Sequence, residues 1–138
     1  HEREALGKMG SSPVERSIKE QAITSLNLTN GRLNDEVIRK ELIDWEIDYF
    51  CHQLTSERVN AEIASSGVGN TSAMLKYYGT ELNKRKYELL ISIHGSESMH
   101  WEDNPVSRQW LRSKGNSIEG GTSEIQLNII AKRILGLG

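Results

Sequence analysis

Several features that would assign a protein to a class at once are missing from this sequence of 138 residues. It has one cysteine, Cys51, so no internal disulfide can form; because Cys51 lies in an apolar helical stretch, we predict a small core residue in a reducing compartment. No apolar run approaches the length of a membrane span and no signal peptide is recognisable, so we expect a soluble, cytoplasmic protein. With a net charge of −2 and no basic stripe, we expect no nucleic-acid partner.

Common catalytic and metal-binding signatures are missing as well. The histidines His52, His94 and His100 have no metal-ligand spacing with Cys51 or with one another, so we expect no metal site. Spacing assembles no Ser/His/Asp nucleophile, and there is no P-loop or zinc signature. The segment Gly67-Val68-Gly69-Asn70 resembles a dinucleotide-binding loop only superficially, because a helix precedes it and no βαβ unit follows. We interpret it as a turn.

What the sequence does contain is helical apolar spacing over most of its length, with no convincing strand. The helices are predicted, in chain order, from Pro13 to about Leu26 (N-cap Ser12, ended by Asn30-Gly31), from Asp35 to about Ser66 (N-cap Asn34), from Thr71 or Ser72 to about His94, from Pro105 to about Arg112, and from Thr122-Ser123 to a stop at Gly136. The predicted fold class is therefore all-α, an up-and-down four-helix bundle forming one domain over residues 1–138. The charged start at His1 further suggests a fragment of a longer chain.

The second predicted helix has two adjoining apolar faces. We therefore expect burial on more than one side, within the bundle and against another subunit. Gly79 in the third helix would weaken it unless it marks close helix packing. The two faces are Ile38, Leu42, Trp45 and Tyr49, and Ile43, Ile47, Phe50 and Leu54.

The stretch from Ile118 to Gln126 organises the end of the chain. Two glycines precede a Thr-Ser pair, and Gln126 stands three residues after Ser123, which predicts a capping-box helix start. Backbone N–H groups and the positive end of the helix dipole meet there, as at sites that hold a phosphate or a carbonyl oxygen. The residues alone equally allow a well-capped helix with no ligand.

The closing run SIEGGTSEIQLNIIAKRILGLG resembles the end of the acyl-CoA dehydrogenase family, which has Gly-Thr-Ser-Glu-Ile-Gln, then Ile-Ile-Ala and a Leu-Gly-Leu tail. Weaker landmarks upstream are Gly31-Arg32-Leu33-Asn34-Asp35, Val37-Ile38-Arg39 and residues 90–99. The resemblance implies the family's all-helical C-terminal domain, without the N-terminal helical and middle β domains that precede it in the full enzyme.

The resemblance also implies roles for the residues of the motif. Gly121 takes the place of the family's substrate-contacting glycine, and Thr122, Ser123 and Glu124 take the place of its flavin-contacting segment. The family's commonest catalytic base would stand at Gly120, which has no side chain.

Glu119, one residue earlier, is the candidate base in this chain; alternatively the base lies on an earlier helix or is absent, as in some subunits of mixed assemblies. Flavin contacts of the family are not recognisable at Gly31-Arg32 and Ser92, and Ser98 replaces a usual glycine. Arg32 could meet a pyrophosphate or simply be a surface arginine.

By resemblance, the whole protein would be an FAD-dependent enzyme of fatty acid metabolism. A glutamate removes the proton α to the thioester carbonyl of an acyl-CoA, and hydride leaves the β carbon for the flavin. The implied partners are the acyl-CoA substrate, a homo- or hetero-tetramer and an electron-transfer protein. Two alternatives stay open: a non-catalytic helical subunit or interaction domain of such an assembly, and an unrelated helical bundle.

Overall fold

The computed structural model describes residues 17–67, 71–102 and 105–138 of the chain. Most of the described residues are helical, which confirms the predicted all-α class. The elements in chain order are α1 (Ile18–Ser25), β1 (Leu28–Thr29), β2 (Arg32–Leu33), α2 (Glu36–Ser66), α3 (Ser72–His94), a 3-10 segment (Gly95–Met99), α4 (Pro105–Gly115), α5 (Ser123–Ile129) and a π-helical segment (Ile130–Ile134).

Helix α3 lies at the centre of the bundle and packs against α1, α2, α4 and α5. Its apolar residues Leu89, Leu90 and Ile93 are each at most 4% exposed. Because one helix serves as the common partner, the other helices are held in place mainly through it. The remaining buried core residues are Ile18 and Ala22 of α1, Leu33 of β2, Ile38 and Leu42 of α2, and Val106 of α4.

The first helix of the described residues begins at Ile18. Ser17 is the N-cap of α1: its hydroxyl oxygen accepts from the Glu20 N–H at 3.1 Å, and the Glu20 carboxylate accepts from the Ser17 N–H at 2.8 Å. The predicted start at Ser12 and Pro13 lies outside the described residues. A continuous helix through Ser17 is nevertheless wrong, because this reciprocal capping box satisfies N–H groups at a helix start.

A short hairpin follows α1, so the prediction of no strand is wrong. Strands β1 and β2 pair antiparallel, with Leu28 opposite Leu33 and Thr29 opposite Arg32. The turn residues Asn30 and Gly31 have φ of 51° and 75°, the left-handed geometry that favours Asn-Gly in two-residue hairpins. Asn-Gly therefore closes a hairpin here and does not end a helix, since α1 already ends at Ser25.

Helices α2 and α3 pack closely along their length. Asp35, and not Asn34, caps α2, because its carboxylate accepts from the Ile38 N–H at 2.9 Å. Across the helix pair, the indole Nε1 of Trp45 donates to the Leu82 carbonyl at 2.9 Å. A Cβ at Gly79 would lie 3.0 Å from Nε2 of His52, which confirms the close packing predicted at this glycine.

One predicted apolar face of α2 is left uncovered by the described residues. Phe50 and Ile47 are 60% and 57% exposed, and Ile43 and Leu54 are about half exposed. Cys51 is also exposed, so its prediction as a core residue is wrong. The reason is helix geometry: Cys51 follows Ile47 by four residues and therefore lies on the same outward face.

Helix α2 ends at Gly67, where φ is 84°. The other three residues of the predicted turn, 68–70, lie outside the described part. Helix α4 extends to Gly115, three residues beyond its predicted end at Arg112. The bounds of α3 agree with the prediction.

Because α3 is central, we expect alanine substitution in its core face to lower stability more than alanine substitution on the exposed face of α2. Leu90→Ala should lower the free energy of unfolding by about 2–5 kcal/mol, because it opens a cavity in the common core. Ile47→Ala, on the exposed face of α2, is the control and should cost about 1 kcal/mol or less. Urea unfolding of the two variants checks this; similar costs at both positions would mean that α3 is not the central helix.

Candidate functional site

The segment between α4 and α5 makes a compact loop, which we call the glycine turn and define as residues 116–121. Gly120 and Gly121 have φ of 63° and 96°, a region that L side chains rarely enter. The Ser123 N–H donates to the Ser117 carbonyl at 3.0 Å and closes the loop. Both glycines are therefore needed to reverse the chain immediately before α5.

Thr122 is the N-cap of α5. Its Oγ1 accepts from the Ile125 N–H at 3.4 Å. The predicted capping box between Ser123 and Gln126 is wrong, because the cap lies one residue earlier. Gln126 instead folds back, and its Nε2 donates to the Gly120 carbonyl at 3.1 Å.

Glu124 carries its negative charge at the start of α5. Its own backbone N–H and then the Thr122 hydroxyl donate to the carboxylate, and these hydrogen bonds hold the pKa of Glu124 below its usual range. A carboxylate in the first turn also opposes the positive end of the helix dipole. Part of the donor capacity at this helix start is thus used by the chain itself.

Gly121 is restricted by contact as well as by conformation. A Cβ at this position would lie 2.6 Å from Nε2 of Gln126, closer than real Cβ atoms approach another heavy atom. The Gln126 side chain is itself buried and bonded to the Gly120 carbonyl. Alanine at 121 would therefore have to adopt a strained left-handed backbone and displace the Gln126 side chain.

Polar side chains on one face of α3 form hydrogen bonds with the glycine turn. This face was not predicted from the sequence. Nζ of Lys76 donates to the Gly121 carbonyl at 2.7 Å and to the Asn116 carbonyl at 3.1 Å. The face consists of Lys76, Thr80, Asn83 and Lys84; the last three bond the Asn116 carbonyl, the Asn116 side chain and the Ser117 hydroxyl, respectively.

Spacing was the available signal for this polar face. Positions 76, 80, 83 and 84 fall on one side of a helix. Such a pattern is also typical of a solvated surface. Only the fold distinguishes the two cases, since Thr80 and Asn116 are each 7% exposed where they meet.

The ammonium group of Lys76 is partly removed from water. Burial lowers the pKa of Lys76, while the charges of Glu119 and Glu81 act in the opposite direction. Lys76 forms no salt bridge within the described residues; its hydrogen bonds go to backbone carbonyls. Its charge is thus directed at the peptide groups of the turn.

Glu119, the candidate base, is held by Arg112 of α4. Two guanidinium nitrogens of Arg112 approach the two carboxylate oxygens at 2.7 Å and 3.0 Å, a bidentate ion pair. The Glu119 carboxylate also lies against α4, since a Cβ at Gly115 would be 3.2 Å from Oε1. A proton acceptor at Glu119 would first have to leave this pair.

Ser123 differs from its neighbours because its hydroxyl is not used by the chain. Oγ of Ser123 is buried and has no hydrogen-bond partner among the described residues. A buried hydroxyl without a partner costs free energy, so such an atom marks a place where a further group fits. Ser123 is the member of the Thr122–Glu124 segment that retains this capacity.

The other positions that the resemblance singled out lie apart from this turn. Arg32 is exposed in the hairpin, and the Ser92 hydroxyl donates to the Glu88 carbonyl. Ser98 is fully buried, and its hydroxyl donates to the Gly95 carbonyl at 2.6 Å. Serine at 98 is thus accommodated by a local hydrogen bond in the 3-10 segment.

Two surface depressions lie between α2 and α3, and no residue of the glycine turn lines them. The larger has a volume of about 320 Å³ and is floored by Trp45 and Leu89. The smaller, of about 190 Å³, includes Cys51, His52 and Tyr78. Across residues 17–67, 71–102 and 105–138, no three His, Cys, Asp or Glu side chains are placed to hold a metal ion. No helix in those ranges is long and apolar enough to cross a membrane.

The described residues thus form a helical bundle with a Gly-Gly-Thr-Ser turn before its last helix. Residues 4–135 match the family model described as "Acyl-CoA dehydrogenase, C-terminal domain". The chain therefore belongs to the acyl-CoA dehydrogenase family, as the resemblance of its closing run predicts.

The similar curated proteins include long-chain specific acyl-CoA dehydrogenases, named as mitochondrial, from three mammals. Those from Mus musculus and Sus scrofa are 33% and 31% identical over 66 and 64 residues. That from Rattus norvegicus is 29% identical over 65 residues. Each match covers 46–47% of this chain and 15% of the relative, so the chain spans a small part of the length of these proteins.

Two glycine variants can separate the cost of backbone strain from the cost of a side-chain contact. Gly121→Ala places a methyl group against Gln126 at a left-handed φ, whereas Gly136→Ala meets a left-handed φ of 67° with nothing within 4 Å. We expect Gly136→Ala to cost about 1–2 kcal/mol from backbone strain. Gly121→Ala should cost about 1 kcal/mol more, because Gln126 must give up its hydrogen bond. Urea unfolding of both variants measures the difference, and equal costs would contradict the contact with Gln126.

Proposed function

We propose that the protein containing this domain is an FAD-dependent acyl-CoA dehydrogenase of fatty acid metabolism, and that this domain forms one wall of the flavin and acyl site. The observation that carries the proposal is the family match over residues 4–135 together with a glycine turn braced by the polar face of α3. The proposed reaction is α,β-dehydrogenation of an acyl-CoA thioester. It requires exact placement of acyl chain, cofactor and base, which a rigid turn favours.

The residues at the start of α5 fit a flavin. The unpaired, buried hydroxyl of Ser123 can donate to the cofactor, and Thr122 and Glu124 flank it. FAD, when bound in the complete protein, would accept the hydride that leaves the β carbon. Residues of this chain would hold the cofactor and exclude water from that side of the site.

Gly121 is the proposed contact for the acyl thioester. It has no side chain to keep a ligand from its backbone, and its N–H has no acceptor within the described ranges. Its carbonyl is already engaged by Lys76. The peptide N–H is therefore the group that remains available to orient a substrate carbonyl.

Glu119 is the proposed base of this chain, with one structural requirement. Its carboxylate is bound bidentately by Arg112, so proton abstraction requires that this ion pair opens when acyl-CoA binds. Both side chains are about half exposed, and exposed ion pairs contribute little to stability. Opening this pair would thus cost little free energy.

The same ion pair favours a second candidate function, a non-catalytic helical subunit of a mixed acyl-CoA dehydrogenase-like assembly. Gly120 has no side chain, and Glu119 is occupied by Arg112. In that case the base would come from another part of the assembly. The domain would then contribute scaffold and cofactor contacts only.

The proposed assembly is a homo- or hetero-tetramer that passes electrons to a partner protein. Support for an interface comes from the face of α2 on which Ile47 and Phe50 are more than half exposed. For the compartment we keep the cytoplasm as a proposal, although the three mammalian relatives are named as mitochondrial.

The proposed activity predicts a difference between the complete protein and the isolated 138-residue domain. Purified with its assembly partners, the complete protein should contain FAD whose absorbance bleaches when acyl-CoA is added anaerobically. The isolated domain should not bleach, because one wall cannot align cofactor and substrate. Anaerobic absorbance spectroscopy measures both. A complete protein that contains no flavin, even with its partners, would refute the enzyme and leave the scaffold function.

The proposed base gives a second test in the complete protein. Glu119→Gln should lower kcat by about 10²–10⁴-fold with flavin content unchanged, the range for loss of a general base. Glu62→Gln is the matched control, because Glu62 is also an exposed glutamate paired with an arginine, Arg58 of α2. Steady-state kinetics with acyl-CoA checks this. A change in kcat no larger than that of the control would exclude Glu119 as the base.

A further inference from the structure

Among the residues of α3 that contact the glycine turn and that the proposed mechanism does not use, Lys76 bonds both ends of the turn. It lies in the first turns of α3, far along the sequence from the glycine turn, yet its ammonium group bonds two carbonyls of that turn. Lysine is seldom withdrawn from water unless its charge has partners. Here the partners are backbone oxygens.

We infer that Lys76 is a positioning residue: its ammonium group fixes the backbone of the glycine turn and so sets where Gly121 and Thr122 meet acyl-CoA and flavin. This inference rests on the proposed function for the identity of those ligands. The holding of the turn itself depends only on the contacts of Lys76.

The two hydrogen bonds of Lys76 tie together the two ends of the turn. Asn116 begins it and Gly121 ends it, and one nitrogen reaches both carbonyls at 3.1 Å and 2.7 Å. Asn116 is also bonded by Thr80 and Asn83, but the Gly121 carbonyl has no donor other than Lys76 among the described residues. The position of Gly121 relative to α3 thus depends on this lysine.

The positive charge of Lys76 also affects the peptide group that it contacts. Donation to a carbonyl oxygen polarises the whole peptide group, and the peptide whose oxygen belongs to Gly121 has its N–H on Thr122. That N–H has no acceptor within the described part of the chain. Lys76 therefore both places the Thr122 amide and strengthens it as a donor, which a neutral side chain of the same length would not do.

The test compares Lys76→Met with Lys40→Met in the complete protein. Methionine keeps the unbranched, apolar part of the side chain and removes the donor and the charge. Lys40, which pairs with Asp44 on α2, is the control for loss of a lysine away from the turn. Hydrogen exchange read by mass spectrometry follows peptides that contain residues 117–126, where the Ser123 amide closes the loop.

Lys76→Met should speed exchange of these amides by about ten- to a hundredfold, the factor expected for losing a hydrogen bond from a charged donor. Exchange elsewhere, and everywhere in Lys40→Met, should stay as in the unmodified protein. Activity per bound flavin should fall by up to about a hundredfold, mainly in kcat, because the turn is displaced from the reacting atoms. Lys76→Arg should recover part of both, since it keeps the charge and several donors.

Unchanged exchange of residues 117–126 in Lys76→Met would overturn the inference. So would faster exchange with unchanged kcat per flavin, because the lysine would then be merely structural. If Lys76→Met does not fold, Lys76→Gln, which keeps a neutral donor, is judged by the same two measurements. If the complete protein binds no flavin, the proposed function fails, while the exchange measurement still decides whether Lys76 holds the turn.

Discussion

The fold and the candidate site both depend on how α3 is buried. The C-terminal half of this helix contributes Leu89, Leu90 and Ile93 to the common core, and the polar side of its N-terminal half presents Lys76, Thr80 and neighbouring polar residues to the glycine turn. Apolar burial fixes the helix without direction, whereas the hydrogen bonds of the polar side fix the turn in distance and orientation. The core therefore holds the helix rigid, and the helix holds the turn.

The glycine turn uses most of its own polar groups. Thr122 caps α5, Glu124 accepts from its own amide, Gln126 bonds the Gly120 carbonyl, and Glu119 pairs with Arg112. These internal bonds hold the backbone of the loop in one conformation. The buried Ser123 hydroxyl remains without a partner among the described residues.

Apolar spacing in the sequence predicted the long helices. It failed where local hydrogen bonds determine where a helix begins or ends. The bounds of α3 were predicted correctly because Ser72 to His94 has a regular apolar stripe and a glycine beyond its end. The predicted helix was wrongly run through Ser17, because the reciprocal hydrogen bonds between Ser17 and Glu20 leave no mark on the apolar spacing. An Asn-Gly pair such as Asn30-Gly31 occurs both after helices and in hairpin turns. The strands beside it are too short to show the alternation of a strand.

The sequence by itself determined the family, because the residues of the closing motif are adjacent in the chain and can be compared directly. The contact between Gly121 and Gln126 became visible only in the structure. Tertiary structure alone decided that Lys76 meets Gly121, that Arg112 holds Glu119 and that Cys51 faces outward. Residues 45 positions apart, such as Lys76 and Gly121, share no pattern in the sequence, since their contact arises only when helices pack.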